Sequence, residues 1–177
     1  MTEVVQSINQ YQREILSTSL EHELCGRPTV CVSTIQGGSG VNTVTDHAVV
    51  DIDRRLTPGE DATDAYQELI DLIAERTTSE AVSLEHESPN ITCGGLTADE
   101  NRAWAEEVAS AVFATGHKSQ LIGVPFGTDA WAIAASGTPT VVFGPGSVDQ
   151  AHTDDERISI DQLSAATDIF YRIATGG

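Results

Sequence analysis

The stretch that decides how this chain folds runs from Thr29 to Gly59, TVCVSTIQGGSGVNTVTDHAVVDIDRRLTPG. It opens on Thr29-Val-Cys-Val-Ser-Thr-Ile35, alternating and β-branched, breaks at the turn-forming Gly37-Gly38-Ser39-Gly40, and resumes as Ala48-Val-Val-Asp-Ile-Asp53. Two such runs around a glycine turn predict an antiparallel pair. Pro58-Gly59-Glu60-Asp61 then closes the second strand and opens a helix with Ala62, Tyr66, Leu69, Ile70 and Ile73 as its apolar stripe. Upstream, Val4, Ile8, Tyr11 and Ile15 recur at three- and four-residue steps, which predicts a helix from Thr2 to about Leu24 with no capping residue at its start. A short strand is expected from Ala81 to Glu87. The order α-β-β-α-β is that of a ferredoxin-like β-α-β-β-α-β unit lacking its first strand.

Between Ser88 and Leu96, Pro89, Asn90, Gly94 and Gly95 interrupt every periodicity, and the character of the chain changes. Thr97-Ala-Asp-Glu100 spells a capping box, and Trp104, Val108, Ala111 and Val112 form the apolar face of the helix behind it. A short strand at Gln120 to Val124, a helix at Asp129 to Ala135 and a final helix from Asp161 with Leu163, Ala166, Phe170 and Ile173 inward are expected next. Thr140-Val-Val-Phe143, four residues between Pro139 and Gly144, suits a buried parallel strand. The fold class read from these patterns is α/β: an α+β domain over residues 1–92 and an α/β segment over residues 93–177.

The 177 residues carry 27 acidic and 9 basic side chains, a formal charge of −18 with Lys118 as the single lysine. Such a surface repels nucleic acid and anionic membranes, both of which need a basic footprint. Dense carboxylates with scarce lysine also suit a salt-rich cytoplasm, where screening relieves self-repulsion; an acidic protein of ordinary cytoplasm reads the same way. No stretch has the length and apolarity of a membrane span, so a cytoplasmic location is expected. Cys25, Cys31 and Cys93 are widely spaced and form no C-x-x-C pair, which points to neither a disulfide framework nor a cysteine metal site.

Two loops could carry chemistry. The run from Phe143 to Glu156, FGPGSVDQAHTDDE, follows the expected buried strand directly, and ligands gather outside the carboxyl ends of such strands. It holds His152 among Asp149, Asp154, Asp155 and Glu156, either a metal ligand or one histidine in a solvated acidic loop. The run Gly123-Val-Pro-Phe-Gly-Thr-Asp-Ala130 leads into a helix, whose free N–H groups could meet an anion or simply be capped by Thr128 or Asp129.

In combination these segments resemble a known family. Thr34-Ile-Gln-Gly-Gly-Ser-Gly-Val-Asn42 followed by Ala48-Val-Val-Asp-Ile-Asp-Arg-Arg-Leu-Thr-Pro-Gly59 resembles the lid, or dimerisation, domain of the di-zinc aminoacylase and carboxypeptidase family, which includes acetylornithine deacetylase and succinyl-diaminopimelate desuccinylase. Gly127-Thr-Asp-Ala130, Gly137 to Gly146 and Ala151-His-Thr-Asp-Asp-Glu156 resemble the end of that family's catalytic domain, in the same order. The resemblance implies a homodimer through the lid, two zinc ions, and a small N-acyl amino acid or peptide substrate with a free carboxylate. It makes His152 a zinc ligand, and Asn42 and Arg55 lid residues that reach the substrate. Arg55 rather than Arg54 lies three residues before Pro58, and its planar fork suits a carboxylate. Gly127 and Thr128 would lie against the substrate. Thr45 stands where the family has proline.

The family's other zinc ligands, an H-x-D pair, a bridging aspartate and a tandem glutamate that includes the general base, should precede Met1. His152-Thr-Asp154 spells H-x-D but is already the final-histidine context, and Glu106-Glu107 reads as solvated helix surface. His22, His47, His86 and His117 belong to no motif. One histidine cannot hold two zinc ions, since even one catalytic zinc takes three protein ligands. The expectation is a C-terminal half of the enzyme with no catalytic residue complete in this chain and no activity alone, working beside an N-terminal half polypeptide; the alternative is a non-catalytic dimerisation or small-molecule-binding module.

Overall fold

A computed structural model of the chain describes residues 1–79 and 82–176. They form two compact units, Met1–Gly95 with Gly123–Gly127, and Leu96–Ile122 with Thr128–Gly177.

In the first unit, helix α1 (Thr2–Glu14) buries Val4, Ser7, Ile8 and Tyr11 on one face, the spacing of a helix that packs along a single stripe. It ends at Glu14, not near Leu24. The hydroxyls of Ser17 and Thr18 donate to the carbonyls of Gln12 and Glu14, so side chains satisfy the groups a continuing helix would have used. A tight turn follows in which His22 Nδ1 accepts the N–H groups of Leu24 and Cys25, each at 3.2 Å. This imidazole, outside every motif, is a local structural brace.

Strands β1 (Thr29–Gly37) and β2 (Ala48–Arg55) pair antiparallel, with an irregularity between Val32 and Thr34. Strand alternation sends Val30, Val32 and Ile52 to one face, where they pack with Ile8, Tyr11 and Leu16, and with Leu69, Leu72 and Ile73 of helix α2 (Ala62–Arg76). Asp61 caps α2, accepting from Thr63 and Asp64 N–H at 2.8 and 3.1 Å. The stripe of α2 is turned slightly from the expected one: Ala65, Leu69, Leu72 and Ile73 are buried, whereas Ala62, Tyr66 and Ile70 are half-buried. The strand expected from Ala81 to Glu87 is not formed over residues 82–87, and Ala81 lies outside the described residues. Leu84 packs on the core there, and the Glu87 carbonyl is taken by the Tyr66 hydroxyl at 2.8 Å rather than by a neighbouring strand.

In the second unit, helix α3 (Ala98–Ala114) starts at Thr97 without the reciprocal capping bonds its sequence suggests; the Thr97 hydroxyl donates to the Glu100 carboxylate instead. Val108 and Val112 are buried, and so is Asn101, whose Nδ2 donates to the Thr97 carbonyl at 2.7 Å while its Oδ1 accepts the Thr140 N–H at 2.5 Å. Helix α4 (Ala130–Ala135) buries Ala130, and helix α5 (Ile160–Thr175) buries Ala166 and Ile169 and ends on left-handed Gly176. Two expected strands are absent among the described residues. Gln120 to Val124 is irregular, and so is Thr140 to Phe143, where Val142 is 54% exposed and the Asn101 amide takes the place of a flanking strand. Phe143 packs edge-on against Phe170, with ring centroids 5.4 Å apart. Leu163 and Phe170, expected inside, remain half exposed at 52% and 48%.

Candidate functional site

The consecutive arginines at the end of β2 point to opposite faces, as strand alternation requires. Arg54 turns toward the helices: its side chain is 10% exposed and its Nη2 lies 2.5 Å from Glu60 Oε1. Burial resists ionisation of Glu60, but the Thr57 N–H and hydroxyl and the Arg54 guanidinium outweigh it and hold the carboxyl below its ordinary range. Tyr11 donates to Glu68 at 2.8 Å; burial first and that bond second push its phenol up to about 12, against the pull of Arg54. Arg54 therefore belongs to an internal polar network.

Arg55 faces the other way and is half exposed. Its Nε donates to Asp53 Oδ2 at 2.9 Å, its Nη2 is ion-paired with the same oxygen at 2.8 Å, and its Nη1 donates to the Pro125 carbonyl at 3.3 Å. Pro125 sits in the segment Gly123–Gly127, which belongs to the same unit. Gly123 has no room for a side chain: a Cβ there would strike the Leu24 carbonyl in the turn braced by His22. Gly127 lies against Cys93, whose sulfur would be 3.7 Å from an added Cβ. Burial pushes the Cys25 thiol up in the same region.

Asn42 is exposed in the loop joining β1 to β2. That loop is knitted by Thr45, whose hydroxyl accepts the Gly38 and His47 N–H groups at 3.2 and 3.3 Å and donates to the His47 carbonyl at 2.7 Å. Where proline would stiffen the chain by fixing a torsion, Thr45 does so with hydrogen bonds.

The second unit holds the remaining candidates. Thr128 Oγ1 accepts the Ala130 N–H at 3.2 Å, capping the start of α4. His152 is exposed and, among the described residues, is the one non-glycine residue with positive φ, at 61°. The left-handed conformation costs an L-residue about 1 kcal/mol. It is held by the His152 N–H donating to Glu156 Oε2 at 3.0 Å. Among the described residues no group of three or more His, Cys, Asp or Glu could hold a metal ion, so the donors present do not fit a zinc centre on their own. Glu106 and Glu107 are both exposed.

Asn42, Arg55 and Gly127 thus lie in the first unit, and Thr128 and His152 in the second. Sequence reasoning missed the companions of Arg55. The i, i+2 relation of Asp53 to Arg55 on a strand was a legible signal; the Pro125 carbonyl, seventy residues away along the chain, had none.

Comparison with known proteins supplies the family. Residues 18–176 match the profile of Peptidase family M20/M25/M40. A Mycobacterium tuberculosis protein provisionally named succinyl-diaminopimelate desuccinylase DapE is 27% identical over 142 residues, covering 80% of this chain and 37% of its own. N-acetyl-L-citrulline deacetylase of Xanthomonas campestris is 35% identical over 91 residues, covering 50% of this chain and 23% of its own. Acetylornithine deacetylase of Myxococcus xanthus is 28% identical over 136 residues, covering 76% of this chain and 34% of its own. The chain spans about a third of the length of the relatives that match most of it. With a profile match running through both compact units, the chain belongs to Peptidase family M20/M25/M40.

Proposed function

We propose that this chain is the C-terminal half of a zinc-dependent amidohydrolase that cleaves N-acyl amino acids or small peptides, and that it does not turn over substrate alone. The reading assigns residues 1–92 to a ferredoxin-like lid without its first strand and residues 93–177 to the end of the catalytic domain. The observation that carries it is His152: it stands at the position the family resemblance makes a zinc ligand, and no metal-holding group surrounds it among the described residues. The names of the relatives, two deacetylases and a desuccinylase, support the reaction class.

In this reading the chain's own work is recognition. In the first unit Arg55 holds the substrate carboxylate, with Asn42 and Gly127 as further substrate-binding residues; in the second, Thr128 is a substrate-binding residue and His152 donates one imidazole to a centre completed by residues of an N-terminal half or a partner subunit. The open apolar surface of the second unit, with Val142, Ile133, Ile160 and Tyr171 exposed, supports such a partner. The rival reading, a non-catalytic lid module, is favoured by the closed core of the first unit.

Zinc content and hydrolysis of N-acetylornithine and N-succinyl-diaminopimelate should be measured in high salt, with and without the separately expressed N-terminal half of the Myxococcus relative. Turnover only in the mixture supports the split hydrolase. Stoichiometric zinc and turnover by the chain alone would overturn it, and inactivity in both would favour the module.

A further inference from the structure

The donors of Arg55 can be counted. A guanidinium has five N–H groups. The Nε–H goes to Asp53 Oδ2, which also stands 2.8 Å from Nη2 as an ion-pair partner, and one hydrogen of Nη1 goes to the Pro125 carbonyl. At least one donor remains on each terminal nitrogen, and a carboxylate can take one from each. Asp53 and Arg55 alternate onto the strand face away from the core residues Val30, Val32 and Ile52, and both stay partly exposed at 38% and 54%. A surface ion pair of this kind contributes little to stability, about 0–1 kcal/mol. Its geometric effect is larger: an arginine side chain has four rotatable bonds, and two anchors on different nitrogens remove most of that freedom before a ligand arrives.

We infer that Asp53 is a positioning residue that, with the Pro125 carbonyl, holds the guanidinium of Arg55 so that its remaining terminal donors are presented to the substrate carboxylate. This rests on the assignment of Arg55 as the carboxylate-binding residue. Asp53 also nearly neutralises Arg55, so a diffuse anion gains little from the site while a planar carboxylate still gains two hydrogen bonds. The site is thereby selective for ligand geometry over charge alone. The second anchor lies on the segment packed through Gly123 against the turn at Leu24, so the fork is referenced to the folded unit and not only to its own strand.

The test uses the full chain titrated with N-acetyl-L-alanine and N-acetyl-L-alaninamide, read by the NMR signal of the Arg55 Nε–H. Wild type should bind the acid in preference to the amide, and Arg55→Lys should lose that preference. Asp53→Ala should weaken acid binding about five-fold and broaden the Nε–H signal. Asp53→Asn, whose amide oxygen still accepts from Arg55, should stay within about two-fold of wild type for the acid and gain affinity for chloride. Acid binding by Asp53→Ala equal to or tighter than wild type overturns the positioning role while leaving Arg55 as the carboxylate residue. Equal binding of acid and amide by wild type, no binding of either, or an unaltered Arg55→Lys overturns the Arg55 assignment and the inference with it.

Discussion

The first unit closes its core around two side chains with no measurable exposure, Ile8 and Tyr11, and ties that core to its rim by a polar network. The second unit is also built from helices with apolar faces but leaves Phe113, Ile160, Leu163 and Tyr171 more than half exposed. The first has a sheet whose apolar face two helices can cover, so each stripe finds a partner. In the second, Thr140 to Phe143 has no neighbouring strand among the described residues, and a helix stripe facing an incomplete layer stays wet. Amphipathicity creates the demand for burial, and tertiary partners meet it.

The sharpest way to break this contrast is to truncate one isoleucine in each unit. Ile8→Ala should cost about 2–4 kcal/mol of unfolding free energy, within the range for a well-packed core site. Ile169→Ala should fall at the low end of that range, about 2 kcal/mol, because a looser surround relaxes into the space. Urea denaturation of both variants checks this, and equal losses would mean that the second unit is as well packed as the first.

The polar network predicts an asymmetric pH profile for the first unit. The folded pKa of Glu60 is lowered, so its contribution is present above the ordinary glutamate value of 4.5 and lost as pH falls through the folded one. Tyr11 is raised, so its contribution is present below 10 and lost as pH rises toward about 12. Thermal melts across pH should show both limbs, the acid limb flattening in Glu60→Gln and the alkaline limb in Tyr11→Phe. Unchanged limbs would remove the network from the account of stability.

Salt offers a smaller, more general handle. At a net charge of −18, raising ionic strength from about 0.1 to 1 M shortens the screening length from about 10 to 3 Å and relieves self-repulsion. Both units should gain protection against amide hydrogen exchange, the second by the larger factor because it has less burial to offset the repulsion. A uniform gain would separate charge from packing as the source of the contrast.

Much of this was legible in the residues alone. The spacing of Val4, Ile8 and Tyr11 placed α1, and the runs on either side of Gly37 to Gly40 placed β1, β2 and their antiparallel pairing, because these patterns are local and their periods differ. Arg55 was singled out over Arg54 by its spacing to Pro58, and the opposite facing of the two followed only once β2 was seen to run on to Arg55. The end of α1 was misread because hydroxyl side chains at Ser17 and Thr18 compete with helix bonds without altering the apolar period. Thr140 to Phe143 was misread as buried because three apolar residues in a row state a preference for burial without supplying the neighbour that provides it. What the sequence by itself determined was the local period of the helices and of the paired strands, and the family the chain belongs to. Only the tertiary structure decided that Asp53 and the Pro125 carbonyl share Arg55 and that Asn101 fastens Thr140, since hydrogen bonds across long chain separations depend on how the chain returns upon itself.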